Sequence, residues 1–212
     1  MNEEKIKILK SFDLFSDLTE EELKTIADYI QKKEFLAKTI FISQDEEVPD
    51  VVYFIYKGLA RAYRTTEEGQ EVNLSIIGEG EVIGEMGVIE ELPRSATVEA
   101  MQNTIAYVLT GKNFVDLLKK HPQVSITLLK SLSKRLRKLT GRMEDIMSKN
   151  IEERTLGALR ILSRFFPKKE ILLSHEELAT IVGATRARVT EVLDALRKTG
   201  KIKLQHRKIR LL

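Results

Sequence analysis

The stretch from Pro122 to Met147 constrains this chain more than any other, because its apolar residues fall on a single narrow line. Leu129, Leu132, Leu136, Leu139, Met143 and Ile146 recur at spacings of 3, 4, 3, 4 and 3. On a helix that is the a/d seam of a coiled coil. An amphipathic helix lying on its own domain would use the same residues with a broader stripe. Lys130, Lys134, Arg135, Arg137, Lys138 and Arg142 keep the seam narrow and favour a partner helix, and otherwise read as a solvated basic face. Pro122 suits the first turn, where its missing N–H costs nothing. Such a rod separates two modules of different texture.

Upstream the chain opens with short helices. Thr19 can cap one whose Glu20, Glu21 and Glu22 favour the positive helix start, with Leu23, Ile26, Ala27 and Ile30 on one face. From about Phe35 to Leu109 the texture is that of strands. Thr39–Ser43, Val51–Tyr56 and Leu59–Arg64 are short and rich in β-branched and aromatic residues, and Lys57-Gly58, Glu67–Gln70 and Gly78–Gly80 mark turns. Many short strands with spaced turns predict a sandwich or barrel. No internal repeat is visible.

Downstream, Asn150 and Glu153 form a capping box, so a new helix begins there and is expected to run from Ile151 to Phe166, before Pro167. Ser174 and Glu177 repeat that logic for a helix ending at Val182. Gly183 supplies a tight turn, Thr185 caps a second helix from Arg186 to about Lys198, and Gly200 fits its stop. Leu178, Ala179, Val182, Ala184, Val189 and Val192 take the buried positions of a helix-turn-helix. Thr185, Arg186, Ala187, Arg188, Thr190 and Glu191 are left at the start of the second helix, where such a unit reads base edges. Lys201–Leu204 and Lys208–Leu211 alternate around Gln205-His206-Arg207, the pattern of a β-hairpin wing with cations such as Arg207 for phosphates.

Charge agrees with that division. Residues 150–212 carry 14 basic against 7 acidic side chains, net +7, while the first 149 carry 21 against 25, net −4. Only the C-terminal module is suited to a polyanion. At 212 residues two modest cores fit. The absence of cysteine excludes disulfides, thiolate metal sites and cysteine nucleophiles, and His121, His175 and His206 stand at no metal-ligand spacing. No metal or redox cofactor is expected. No apolar run approaches the roughly 18 residues of a membrane span, and the N-terminus lacks a signal-peptide core, so a cytoplasmic protein without membrane contact is expected.

The remaining distinctive segment is the loop Val82–Val98. Its glycines free backbone N–H groups beside a short helix, an anion site in outline. Arg94 can clamp a phosphate through two parallel hydrogen bonds, Ser95 adds a hydroxyl, and Glu85, next to Met86, offers an acceptor for sugar hydroxyls. Pairing of Glu85 with Arg94, with nothing bound, is the structural alternative.

This loop resembles the phosphate-binding cassette of cyclic-nucleotide-binding domains. From Phe12 to Leu212 the chain is similar to bacterial transcription factors of the cAMP receptor protein / fumarate-nitrate regulator (CRP/FNR) family. The resemblance implies an α+β architecture: a β-roll (jelly-roll) sensor over residues 1–121, a dimerisation helix and hinge over 122–149, and a winged helix-turn-helix over 150–212. It implies that Gly84, Glu85 and Met86 line the ribose and phosphate site, that Arg94 and Ser95 take the cyclic phosphate, and that Arg135 and Thr140 on the dimer helix approach the base. cAMP is the effector it most readily implies. Leu139 stands where cAMP-binding relatives often carry threonine, and Glu191 where a base-reading arginine is common. The resemblance further implies a homodimer on pseudo-palindromic double-stranded DNA, with RNA polymerase as a partner.

Three functions compete at this point. A ligand-gated or ligand-independent homodimeric DNA-binding regulator fits the basic C-terminal module. A nucleotide-responsive regulatory subunit acting on a protein would share the sensor without needing the cationic wing. An enzyme finds no Ser/His/Asp or metal-ligand constellation in support.

Overall fold

The computed structural model describes residues 2–47, 50–205 and 208–212. The chain begins with α1 (Asn2–Leu9) and α2 (Glu20–Tyr29), the latter started by a reciprocal capping box between Thr19 and Glu22. Strands β1 (Gln31–Phe35), β2 (Ile40–Ile42), β3 (Val51–Lys57), β4 (Ala60–Thr65), β5 (Glu71–Ile77) and β6 (Val82–Ile83) follow. A six-residue helix, α3 (Glu85–Glu90), then precedes β7 (Thr97–Ala100), β8 (Thr104–Thr110) and α4 (Gly111–Lys120).

The eight strands form two antiparallel sheets, ordered β1-β8-β3-β6 and β2-β7-β4-β5. Ile55, Ile83 and Ala106 of the first sheet pack with Ile42, Ala60, Ile77 and Val98 of the second, so the sheets close over one core, as the many short strands with spaced turns predict. A second core lies on the other face of β3 and β8. Phe54, Tyr107 and Leu109 there meet Phe12 and Phe15, both turns of α2 and α4, and Val124 and Leu128 from the next helix. Edge-on contacts of Phe54 with Phe12 and Phe114 help fix its geometry.

That next helix, α5 (Pro122–Ser148), runs unbroken for 27 residues. The compact units of the fold divide within it. Residues Met1–Arg64 and Ser75–Leu136 form one unit; Thr65–Leu74 and Arg137–Leu212 form the other. α5 thus gives its first half to one unit and its second half to the other, and Thr65–Leu74, from the end of β4 into β5, group with the C-terminal residues.

In the second unit α6 (Ile151–Leu162) starts on the capping box of Asn150 and Glu153. It ends at Leu162, four residues before the expected Phe166. Phe166 is buried and extended (φ −115°, ψ 132°), the conformation that a following proline imposes, so the chain leaves the helix by tighter turns at Ser163–Phe165. A short strand, β9 (Glu170–Ile171), precedes α7 (His175–Val182), α8 (Arg186–Lys198), β10 (Ile202–Gln205) and β11 (Lys208–Leu211). The strands form a three-stranded antiparallel sheet, β10-β11-β9, whose third member escapes the sequence pattern because it is only two residues long.

Candidate functional site

The cassette begins where β6 ends. Gly84 adopts φ +82°, which an L side chain resists, and caps α3. Glu85, the first residue of α3, is 1% exposed, and Arg94 is 4% exposed. Arg94 does not pair with Glu85. Its Nη1 donates to the Gly84 carbonyl at 2.8 Å and its Nη2 to the Val51 carbonyl at 2.9 Å. Its Nε has no hydrogen-bond partner, and the Glu46 carboxylate lies 3.9 Å away. Burial lowers the pKa of Arg94, against the opposing charges of Glu46 and Glu85.

Glu85 instead meets Arg135 of α5: Nη1 donates to Oε1 at 2.7 Å, and Nη2 donates to the Val82 carbonyl. Burial raises the Glu85 carboxyl above its ordinary pKa, and Arg135 pulls it back only in part. Thus Gly84, Glu85, Arg94 and Arg135 converge. Ser95 and Met86 are exposed at the same loop and α3, while Thr140 lies on the part of α5 that belongs to the second unit. Glu46 and Val51 are members of the cassette that sequence reasoning missed. Both precede Arg94 by more than 40 residues, and β3 brings Val51 there.

The α5 seam is largely bare. Leu129, Leu136, Leu139, Met143 and Ile146 are exposed, Leu136 and Met143 each at 66%. Leu132 departs from the expectation: it is half-buried and packs on the core of its own unit with Leu128. Ile126 and Met147, outside the strict a/d pattern, are also exposed.

In the helix-turn-helix, Ser174 and Glu177 close the capping box of α7, and Gly183 takes φ +70° with its N–H on the Ala179 carbonyl. Leu178, Ala179, Ile181 and Val182 of α7 and Val189, Leu193 and Leu196 of α8 are buried. Ala184 and Val192, expected in that core, are only half-buried; Leu193 and Leu196 point inward instead.

Thr185 caps α8, and Thr185, Arg186, Ala187 and Arg188 are exposed at its start. Arg188 and Glu191 pair with each other at 3.1 Å. The Thr190 hydroxyl donates to the Arg186 carbonyl at 2.9 Å, so the 2.9 Å contact between its oxygen and His175 Nδ1 requires the imidazole to donate. Thr190 is half-buried and bonded to His175, a contributor that sequence reasoning did not name. Arg207 lies outside the described residues.

Among the described residues no three His, Cys, Asp or Glu side chains gather to hold a metal ion, and no helix is long and apolar enough to cross a membrane.

A β-roll with a buried Gly-Glu…Arg cassette, joined by a long helix to a winged helix-turn-helix, defines a cyclic-nucleotide-binding-domain transcription regulator. Comparison with known proteins agrees. Residues 32–121 match the cyclic nucleotide-binding domain family, and residues 153–212 match the Crp-like helix-turn-helix domain. The cyclic AMP receptor protein of Thermus thermophilus is 30% identical over 197 residues, covering 92% of this chain and 90% of that one. The global nitrogen regulator of Synechocystis is 28% identical over 182 residues, 82% of this chain and 80% of that one. A solved CRP/FNR-family regulator of Thermus thermophilus superposes with a TM-score of 0.73 at 26% identity, over 86% of this chain and 93% of that one. The chain belongs to the CRP/FNR family of DNA-binding transcription regulators, and it is not an enzyme.

Proposed function

We propose that this regulator works as a homodimer on pseudo-palindromic duplex DNA and answers to a cyclic nucleotide, cAMP first among candidates, taken by its β-roll. One observation carries the ligand reading. Arg94 is a buried cation whose Nε lacks a hydrogen-bond partner, beside a positive-φ glycine and a buried carboxylate. A buried, under-satisfied guanidinium is costly unless an anion completes it. A cyclic phosphate supplies that anion, with Ser95 as a further donor. Glu85, whose oxygens keep acceptor capacity beyond the Arg135 bond, suits a ribose hydroxyl. The name of the Thermus relative supports cAMP.

The bare seam of α5 supports the dimer, since a second copy supplies the apolar surface it lacks. Two α8 helices related by a two-fold axis would then enter successive major grooves, their half-sites about 34 Å apart. Arg186, exposed and without a side-chain partner among the described residues, is the proposed guanine reader, and Arg188 and Arg207 serve phosphates. RNA polymerase is the proposed protein partner once DNA is bound.

A ligand-independent regulator is the second reading, favoured by the bonds that already hold Arg94 and Glu85 in place. Calorimetric titration of the purified full-length protein with cAMP, cGMP and adenosine separates the two. Saturable cAMP heat that vanishes in Arg94→Ala is the expected result. Silence with every cyclic nucleotide at millimolar concentration leaves the cassette a structural loop.

A further inference from the structure

The sequence pattern puts Arg142 on the solvated flank of α5, but the structure places it half-buried inside the second unit. Its Nη1 donates to Asn73 Oδ1 at 3.4 Å and to the Leu74 carbonyl at 3.2 Å, both on β5, and its Nη2 donates to the Ile181 carbonyl of α7. All four residues belong to that unit.

Three features of this contact matter. Every acceptor is neutral: among the described residues no carboxylate stands within ion-pair distance of Arg142. Burial lowers its pKa. Next, the Ile181 carbonyl is among the last four of α7, which find no partner inside their own helix, so a cation there caps the helix and meets the negative end of its dipole. Two residues on, Gly183 turns the chain into α8. Finally, Asn73 is 3% exposed, and while its oxygen accepts from Arg142, its Nδ2 has no partner.

Among the described residues no carboxylate offsets the desolvation of this guanidinium, whose acceptors are all neutral. Here a desolvated charge and an amide with an unmet donor share one junction. A rearrangement that returns both to water regains hydration, which offsets part of the hydrogen bonding lost. The junction also sits where α7 hands over to the recognition helix, so moving it moves α8.

We propose that Arg142 is a latch: it fixes the end of α7, and through the Gly183 turn the recognition helix α8, against β5, and DNA reading requires its release. The proposal rests on α8 being the helix that reads DNA. Residues 65–74 run from the end of β4 through the turn into β5, so the latch joins the reading module to a segment that is covalently continuous with the sensing fold. A signal that shifts β4 and β5 would act on the latch directly, and a ligand with equal affinity for both arrangements would not.

The test uses full-length protein and a duplex enriched by the wild type from a randomised pool, with and without cAMP. Without nucleotide, Arg142→Ala is expected to bind that duplex about tenfold more tightly, the equivalent of one charge-assisted hydrogen bond. Asn73→Ala shifts binding in the same direction, and the double variant gains little more, because both changes break one junction. Arg142→Gln loses the charge and one of the two donor arms but keeps an amide donor, so it binds between the wild type and Arg142→Ala. Amide hydrogen exchange at Ile181–Ala184 quickens in Arg142→Ala while the thermal midpoint stays native.

Unchanged or weaker DNA binding by Arg142→Ala at a native midpoint overturns the latch, as do fully additive single changes. If Arg142→Ala does not fold, Asn73→Ala decides alone, since it leaves the guanidinium in place. Failure of the wild type to enrich any duplex sinks the DNA reading instead, and the exchange comparison then still decides the latch.

Discussion

Replacing Gly84 with alanine tests the cassette more sharply than removing any charged group, because the structure supplies its own control. At Gly84, φ is +82°, and a Cβ would lie 2.8 Å from Arg94 Nη1 and 3.2 Å from the Val51 carbonyl. At Gly80, φ is +83° and nothing lies within 4 Å. Both alanines incur left-handed strain of about 1–2 kcal/mol. Only Gly84→Ala must also displace a guanidinium that is pinned to the Gly84 and Val51 carbonyls. Loss of one such charge-assisted hydrogen bond adds about 1.5 kcal/mol or more. The expected cost is therefore about 3 kcal/mol for Gly84→Ala against about 1–2 kcal/mol for Gly80→Ala, read as the difference in urea midpoints at constant slope. In calorimetry with cAMP, Gly80→Ala keeps the wild-type heat and Gly84→Ala loses it. Equal destabilisation by the two alanines would refute the claim that Arg94 is pinned against Gly84.

Two further outcomes are expected. Leu136→Lys with Met143→Lys puts like charges on the bare seam of α5, and sedimentation should show monomers where the wild type is dimeric; a wild type that is monomeric at micromolar concentration ends the homodimer reading. Burial raises the Glu85 carboxyl, so folding favours its neutral form. Its contribution is fully present below the unfolded value of about 4.3 and is lost as pH rises through the raised folded value. Glu85→Gln should remove that loss, so that urea midpoints followed from about pH 4 to pH 8 fall less steeply than in the wild type. Identical slopes in the two proteins contradict a raised Glu85.

The fold was legible wherever its determinants are local. Three helix starts, at Thr19, Asn150 and Ser174, stand as reciprocal capping boxes because such a box needs only residues three apart. Gly183 and Gly200 turn with positive φ where the helices have to end. The end of α6 was not legible, because a buried Phe166 and the proline after it draw the chain out of the helix before the apolar periodicity stops. Leu132 shows the same limit from another side. Its seam spacing matches its neighbours, yet it belongs to the core of its own unit, since a heptad pattern records which residues are apolar and not which surface claims them.

The cassette divides along the same line. Glycine, carboxylate, arginine and serine are contiguous enough to be named from the loop, but who bonds to whom is fixed by residues far apart in the chain. Arg135 reaches Glu85 across 50 positions, and Arg94 reaches Val51 across 43. Those distant pairings change the chemistry expected of the site. Had Glu85 and Arg94 been bonded to each other, a ligand would have had to separate a buried ion pair. As the structure stands, Arg94 is held by two neutral carbonyls, with the Glu46 carboxylate 3.9 Å from an Nε that makes no hydrogen bond, while Glu85 has its own cation. An incoming phosphate exchanges weak neutral acceptors for a charged one at Arg94, and that exchange gains free energy because hydrogen bonds between charged partners are the stronger kind. An incoming sugar hydroxyl needs only acceptor capacity that Arg135 leaves open on Glu85. The proposed phosphate affinity therefore resides in Arg94, whereas Arg135 holds Glu85 in place. Arg94→Ala should remove binding outright, while Arg135→Ala should weaken it by unpairing a buried carboxylate.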